Sequence, residues 1–144
     1  VFARLDGGFG GENAPPKEVI FPDRDPDFVV EGKPSEDQPL IYRLSGDVFQ
    51  LHVDQEFAEM AGFEKPIMHG LCTFGIACRA VLKTICDYDY TLVEGFDVRF
   101  SAPVLPGDTI RTDMWQDGNI VSFQCRAVER DVVVLRNGKC TLAV

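Results

Sequence analysis

Apolar residues crowd one stretch of the chain more than any other. Between Pro66 and Cys86 they fall on nearly every side of a helix (Leu71, Phe74, Ile76, Ala77, Ala80, Val81, Leu82 and Ile85), with Arg79 and Lys83 the only charges after Lys65. A helix that is apolar all round must be covered on most sides, so the pattern predicts a long buried helix over 66–86 and something wrapped around it. Downstream, the period changes from helical to alternating. Phe96, Val98 and Phe100 alternate with Asp97, Arg99 and Ser101, and Val121, Phe123, Cys125 and Ala127 alternate with more polar neighbours, the mark of strands with one face buried. Turn signals at Leu105-Pro-Gly-Asp108 and Asp117-Gly-Asn119 divide this region into strands over 92–100, 109–115, 120–129 and 132–142. Asn137-Gly138 reads equally well as a hairpin turn or as a bulge.

Upstream of the helix the signals are shorter. Leu40 to Leu44 reads as a strand, Ser45-Gly46-Asp47 as a turn, and 54–61 as a short helix capped by Asp54 and stopped by Gly62. Residues 1–38 hold a glycine cluster (Gly7 to Gly11) and a Pro- and acid-rich run from Pro15 to Pro39, which predicts a linker or extended arm, with the compact domain over 39–144. One strand, a long helix and about four consecutive antiparallel strands make an α+β domain in which the sheet curls around the helix, the hot-dog architecture.

Composition narrows the function. The 144 residues carry a formal net charge of -9, which opposes binding to nucleic acid or anionic membrane, since both need a concentrated basic face. No stretch is apolar for the roughly 18 to 20 residues of a membrane span. The five cysteines are odd in number and lack CxxC spacing, three of them within the helical stretch, so they read as reduced core residues of an intracellular protein rather than metal ligands or disulfides.

Three segments carry a resemblance. Tyr42-Arg-Leu-Ser-Gly-Asp47 with His52, Phe57-Ala-Glu-Met-Ala-Gly-Phe63-Glu-Lys-Pro-Ile-Met-His-Gly70 continuing to Gly75, and Arg99-Phe-Ser-Ala-Pro-Val-Leu-Pro-Gly107 closely resemble the MaoC-like hydratase-2 domain of the type 2 peroxisomal multifunctional enzymes. The likeness covers nearly the whole chain. That family carries two hot-dog repeats in tandem, and this chain resembles the second, with Val1 to Leu5 resembling the last strand of the first. The resemblance therefore implies pairing with a first repeat or a homodimer, a peroxisomal setting, and no metal or cofactor.

It also implies a reaction: water adds to a trans-2-enoyl-CoA to give a (3R)-3-hydroxyacyl-CoA. The family's catalytic Asp and His fall on Asp47 and His52, and its oxyanion donor falls on the backbone amide of Gly70. Its substrate-contacting positions fall on Val48, Phe49, Gln50, Leu51 and Phe100. The chemistry suits these residue types. A carboxylate and an imidazole sharing one water can take a proton from it and return one to C2, and a free amide at a helix start can meet negative charge on the thioester oxygen. On spacing alone, Asp47 is more often a turn residue, His52 a structural partner of the backbone, and Phe100 part of a core. His69, the only other histidine, is read as a side chain that fixes the loop.

One departure stands inside the motif. The family reads Gly-Asp-x-Asn-Pro-Leu-His, whereas Phe49 and Gln50 replace the Asn and Pro here, and Phe offers no polar atom. Weakened hydratase activity is the expectation. A hot-dog thioesterase and a non-catalytic acyl-CoA-binding half are the alternatives.

Overall fold

The computed structural model describes Gly10 and residues 21–143. The expectations for Val1 to Leu5 and for most of the glycine cluster lie outside the described residues.

Five strands form one antiparallel sheet: β1 (Phe28–Gly32), β2 (Val93–Phe100), β3 (Ile110–Asp117), β4 (Ile120–Ala127) and β5 (Val132–Leu142). Their spatial order is β1-β3-β4-β5-β2. The central three strands are a meander. The β3–β4 turn is the two residues Gly118 and Asn119, where Gly118 takes a φ of 62°, matching the right-handed twist of the strands it joins. Strand alternation holds in β4, where Val121, Phe123, Cys125 and Ala127 are fully buried, and in β2 for Phe96 and Val98, which pack against the core, but not for Phe100, which is exposed at the end of the strand.

Asn137-Gly138 is a bulge rather than a hairpin. Asn137 takes a φ of 53° inside β5, and the register shifts nearby both against β2 and against β4. An unpaired extra residue bends the strand and increases its twist, which helps the sheet curl. Gly138 lies directly opposite Phe123, and a Cβ there would lie 2.5 Å from the Phe123 ring carbons. The absence of a side chain at 138 is what allows β4 and β5 to pair over a phenylalanine.

The helix α3 spans Gly70–Thr84, four residues shorter at its start than the apolar pattern suggests, because Pro66 and the residues after it run extended. It buries Thr73, Ala77, Ala80 and Val81, the i, i+4, i+7, i+8 stripe of a helix laid on a sheet. Small residues on that stripe bring the helix close to the sheet. Coverage is one-sided, however: Leu71 is 64% exposed and Gly75 is exposed, since one five-stranded sheet reaches only one flank.

Two readings are corrected. Residues 28–32 fall within the span expected to be an arm, yet they form edge strand β1 and pair with β3 from Phe28↔Met114 to Gly32↔Ile110. Phe28 and Val30 pack against the core, so the folded unit includes them. Leu40 to Leu44, expected as a strand, is instead helical: α1 covers Gln38–Tyr42 and a 3-10 turn follows over Arg43–Ser45. Pro39 occupies the first turn, where its fixed φ and missing N–H favour a helix.

The short helix α2 (Gln55–Met60) sits where expected. The Asp54 carboxylate accepts from the Phe57 amide at 2.9 Å, and Gly62 ends the turn at a φ of 87°. All five cysteines are free thiols, and only Cys78 is not buried. The arrangement is the expected α+β hot-dog.

Candidate active site

Two loops meet at the start of α3. The first runs from Gly46, whose φ of 115° suits a residue without Cβ, through Asp47 to a 3-10 turn over Gln50–His52. Three hydrogen bonds hold it. Arg43 Nη2 donates to the Val48 carbonyl (3.2 Å), the Phe49 amide donates to Asp47 Oδ1 (3.3 Å), and His69 Nε2 donates to the Asp47 carbonyl (3.1 Å). The second loop, Pro66 to His69, is tied down by Met68, whose amide donates to the Val104 carbonyl at 2.7 Å.

His52 is oriented by this second loop. Its Nδ1 lies 2.8 Å from the Ile67 carbonyl. A carbonyl can only accept, so Nδ1 carries the hydrogen and Nε2 is left with a lone pair. The Asp47 carboxylate, a His52 ring nitrogen and a His69 ring nitrogen all lie within 4.8 Å of one another, and Asp47 itself is exposed. At that separation one water can touch the carboxylate and the imidazole together.

His69 behaves differently. Its side chain is fully buried, its ring stacks on His52 at 3.8 Å between centroids, and Tyr42 lies against it at 4.8 Å. Its Nδ1 is buried without a hydrogen-bond partner. Burial lowers the proton affinity of the ring, and the neighbouring His52 and Arg43 lower it further against the opposing pull of the Asp47 carbonyl and carboxylate. As the sequence suggests, His69 fixes the loop.

Could the trio hold a metal? The available nitrogens argue against it. His52 Nδ1 and His69 Nε2 are committed to carbonyls, and the nitrogen that remains to His69 is buried.

Gly70 is the first residue of α3. Its amide belongs to the first turn, where no intrahelical acceptor is available, whereas the amides of Cys72 and Thr73 return to the His69 carbonyl at 3.1 and 3.2 Å. A Cβ on Gly70 would stand 3.4 Å from Phe100 Cε1, so the glycine keeps open the space between the helix start and the ring. A cavity of about 640 Å³ opens there, lined by His52 and Gly70 at one side and by Met68, Phe100, Val104 and Leu135 among its apolar walls.

The expected residues thus separate into two groups. His52, Gly70 and Phe100 share the cavity lining, with the Asp47 carboxylate close beside His52. Val48, Phe49, Gln50 and Leu51 do not line it. Phe49 is 53% exposed and packs edge-on to Phe57 (5.3 Å) and His52 (6.1 Å); Gln50 and Val48 are also exposed. Cys72, near the helix start, has its thiol pushed up by burial, the opposite of a reactive cysteine. Missing from the sequence reading are the Ile67 carbonyl and Arg43 as positioning groups. A backbone carbonyl leaves no trace in residue identity.

Residues 18–137 match the family model described as MaoC like domain. The chain belongs to the MaoC-like domain family. This MaoC-like domain is 46% identical over 140 residues to peroxisomal multifunctional enzyme type 2 of Mus musculus, covering 95% of this chain and 19% of that protein. It is 43% identical to "Enoyl-CoA hydratase 2, peroxisomal" of Arabidopsis thaliana, covering 94% of this chain and 47% of the relative. Among solved structures it superposes on a MaoC-like dehydratase from Phytophthora capsici with a TM-score of 0.89 at 42% identity, over 97% of this chain and 48% of that one. The domain spans about half the length, or less, of these relatives.

Proposed function

We propose that this MaoC-like domain hydrates trans-2-enoyl-CoA to (3R)-3-hydroxyacyl-CoA, as the catalytic half of a two-hot-dog unit acting in fatty-acid β-oxidation. One observation carries the reading: the Asp47 carboxylate and a ring nitrogen of His52 lie within 4.8 Å of each other beside an apolar cavity whose lining includes a first-turn helix glycine. The 43% identity to a relative named for this activity supports the same assignment.

In this mechanism the acyl chain lies along the apolar cavity with its thioester oxygen at the Gly70 amide. A water sits between Asp47 and His52 Nε2. As its oxygen bonds to C3, it yields one proton to the pair, the electrons of the double bond shift toward the thioester oxygen, and the Gly70 amide meets that charge. A proton then passes from the pair to C2, so H and OH are both accounted for. His52 cannot present Nδ1 for this, because Ile67 holds it.

Phe49 and Gln50 stand where the family has Asn and Pro, which removes one polar contact beside the water. A single lost donor in such a site costs about two to three orders of magnitude in rate, and the domain is expected to turn over slowly.

Among the described residues no strand lies beside the outer edge of β2, and Phe100 at its end is 51% exposed. A second hot-dog, from another copy or from a longer polypeptide, would add its edge there and cover the acyl cavity. The names of the mouse and Arabidopsis relatives support a peroxisomal setting.

The test is trans-2-decenoyl-CoA followed simultaneously by enoyl absorbance and free thiol. Loss of the conjugated bond without thiol release is expected, with Asp47→Asn and His52→Gln each at least about 100-fold slower and Phe49→Asn/Gln50→Pro faster than the parent. Thiol release with the conjugated bond intact would establish a thioesterase instead.

A further inference from the structure

His69 touches each part of the site yet has no route to the substrate. Its ring is buried, Nε2 is spent on the Asp47 carbonyl, and Nδ1 faces protein with no partner. Its ring face backs His52 at 3.8 Å, and its own carbonyl receives the first two returning amides of α3, those of Cys72 and Thr73. A single residue therefore connects the acid–base loop, the imidazole and the helix start that presents Gly70.

We propose that His69 is a positioning residue which, as a neutral Nε2–H imidazole, fixes Asp47, His52 and the Gly70 amide relative to one another. This deepens the hydratase reading and rests on it. The chemistry calls for this side chain. A neutral imidazole supplies one donor and one flat face together, while the residue beside Gly70 must also join the helix start. Protonation would bury a second N–H with no acceptor and place a charge near His52 and Arg43, with only Asp47 in its favour. The unpartnered Nδ1 is thus what selects the neutral form: leaving a lone pair unmatched is the smaller cost. Displacement of a reacting group by about 1 Å is enough to lose about 100-fold in rate, which sets the scale on which a loosened His69 should register.

Two substitutions separate the functions of the ring. His69→Gln keeps a donor nitrogen at the same reach and loses the face; His69→Phe keeps the face and loses the donor. The chain has only two histidines, so long-range ¹H–¹⁵N spectra read each imidazole unambiguously. His69 is expected as the neutral Nε2–H form at neutral pH, its Nε2 donating to the Asp47 carbonyl, and the Ile67 carbonyl is expected to select Nδ1–H in His52.

With trans-2-decenoyl-CoA, His69→Phe should lower kcat by at least about tenfold, with KM within about twofold, and His69→Gln, which restores the donor but not the face, should recover part of that loss. A protonated or Nδ1–H His69 at neutral pH overturns the proposal. So does a folded His69→Phe within about threefold of the parent kcat, or a His69→Gln as slow as His69→Phe. Should the parent show no turnover, the hydratase reading fails separately, and the tautomer still decides here together with amide exchange at Phe49, which donates to Asp47. Exchange faster in His69→Phe but not in His69→Gln supports the role of the donor; equal exchange in all three removes it.

Discussion

Asp108 is buried, and every hydrogen bond to its side chain closes the wall of the site. Its Oδ2 accepts from the Leu105 amide at 2.8 Å and from Arg130 Nη2 at 2.6 Å, while Arg130 Nη2 also donates to the Pro103 carbonyl at 2.8 Å. Substitution of Asp108 by Ala removes a carboxylate whose side chain is 8% exposed and strands a guanidinium that is 28% exposed. Breaking a fully buried pair costs about 3–5 kcal/mol. Arg130 keeps access to water and its bond to Pro103, so the expected cost is lower, about 2–3 kcal/mol. Unfolding entropy of about 2.1 cal/mol/K per residue gives roughly 300 cal/mol/K for the whole chain, so the melting temperature should fall by about 7–10 °C.

Thermal and urea unfolding of Asp108→Ala, Arg130→Ala and the double variant measure this directly. The double variant should be more stable than the sum of the single losses requires, by about 1–2 kcal/mol, because the pair is lost only once. A fall of less than about 2 °C in Asp108→Ala, or strict additivity, would show that the pair is a solvated surface contact and that the loop from Pro103 to Asp108 is held by something else.

Gly138→Ala should be more damaging than its single methyl suggests: the new Cβ would stand 2.5 Å from ring carbons of Phe123 and closer still to the Phe123 carbonyl oxygen, with both strands already paired. A loss of about 3 kcal/mol or more is expected from urea midpoints, and a loss under about 1 kcal/mol would mean that the bulge can open. Glu129 offers a test in acid. Thr109 donates to it from both backbone amide (2.8 Å) and hydroxyl (2.6 Å), the hydroxyl bond having the larger effect, and its carboxyl is held down at about 2. The unfolded carboxyl titrates near 4.5, so this contribution is complete above that pH and is lost as pH falls toward 2. Glu129→Gln should flatten that limb of the stability profile measured by urea midpoints from pH 6 to 2; an unchanged profile would show that the Thr109 contacts are not kept in solution.

The elements legible in the sequence were those whose own pattern decides their structure. The strand at 132–142 is found with the expected ends, and Asp54 caps its helix, because alternation and capping are local. β1 escaped notice since Phe28 and Val30 are embedded among prolines and acids, and only pairing with β3, far along the chain, makes them a strand. Leu40 and Ile41 carry the composition of a strand, and Pro39 overrode it. At the site, the resemblance pointed to Asp47, His52 and Gly70, and the structure brings them together. The stacking of His69 on His52 was not readable, since sequence separation says nothing about which two rings meet, and Ile67 acts through a carbonyl that every residue possesses.

The strand order also sets the sequence in which the molecule can assemble. β3, β4 and β5 are joined by short turns and pair cheaply, whereas β1 meets β3 only after about 80 residues of intervening chain are closed into a loop. Asp47, His52, His69 and Gly70 all lie inside that loop. The contacts that set the acid–base geometry, His52 to Ile67, His69 to Asp47 and Met68 to Val104, involve no residue of β1. A chain that has built its meander and seated α3 can therefore hold that geometry before the edge strand is recruited, and loss of β1 would cost core burial before it cost chemistry.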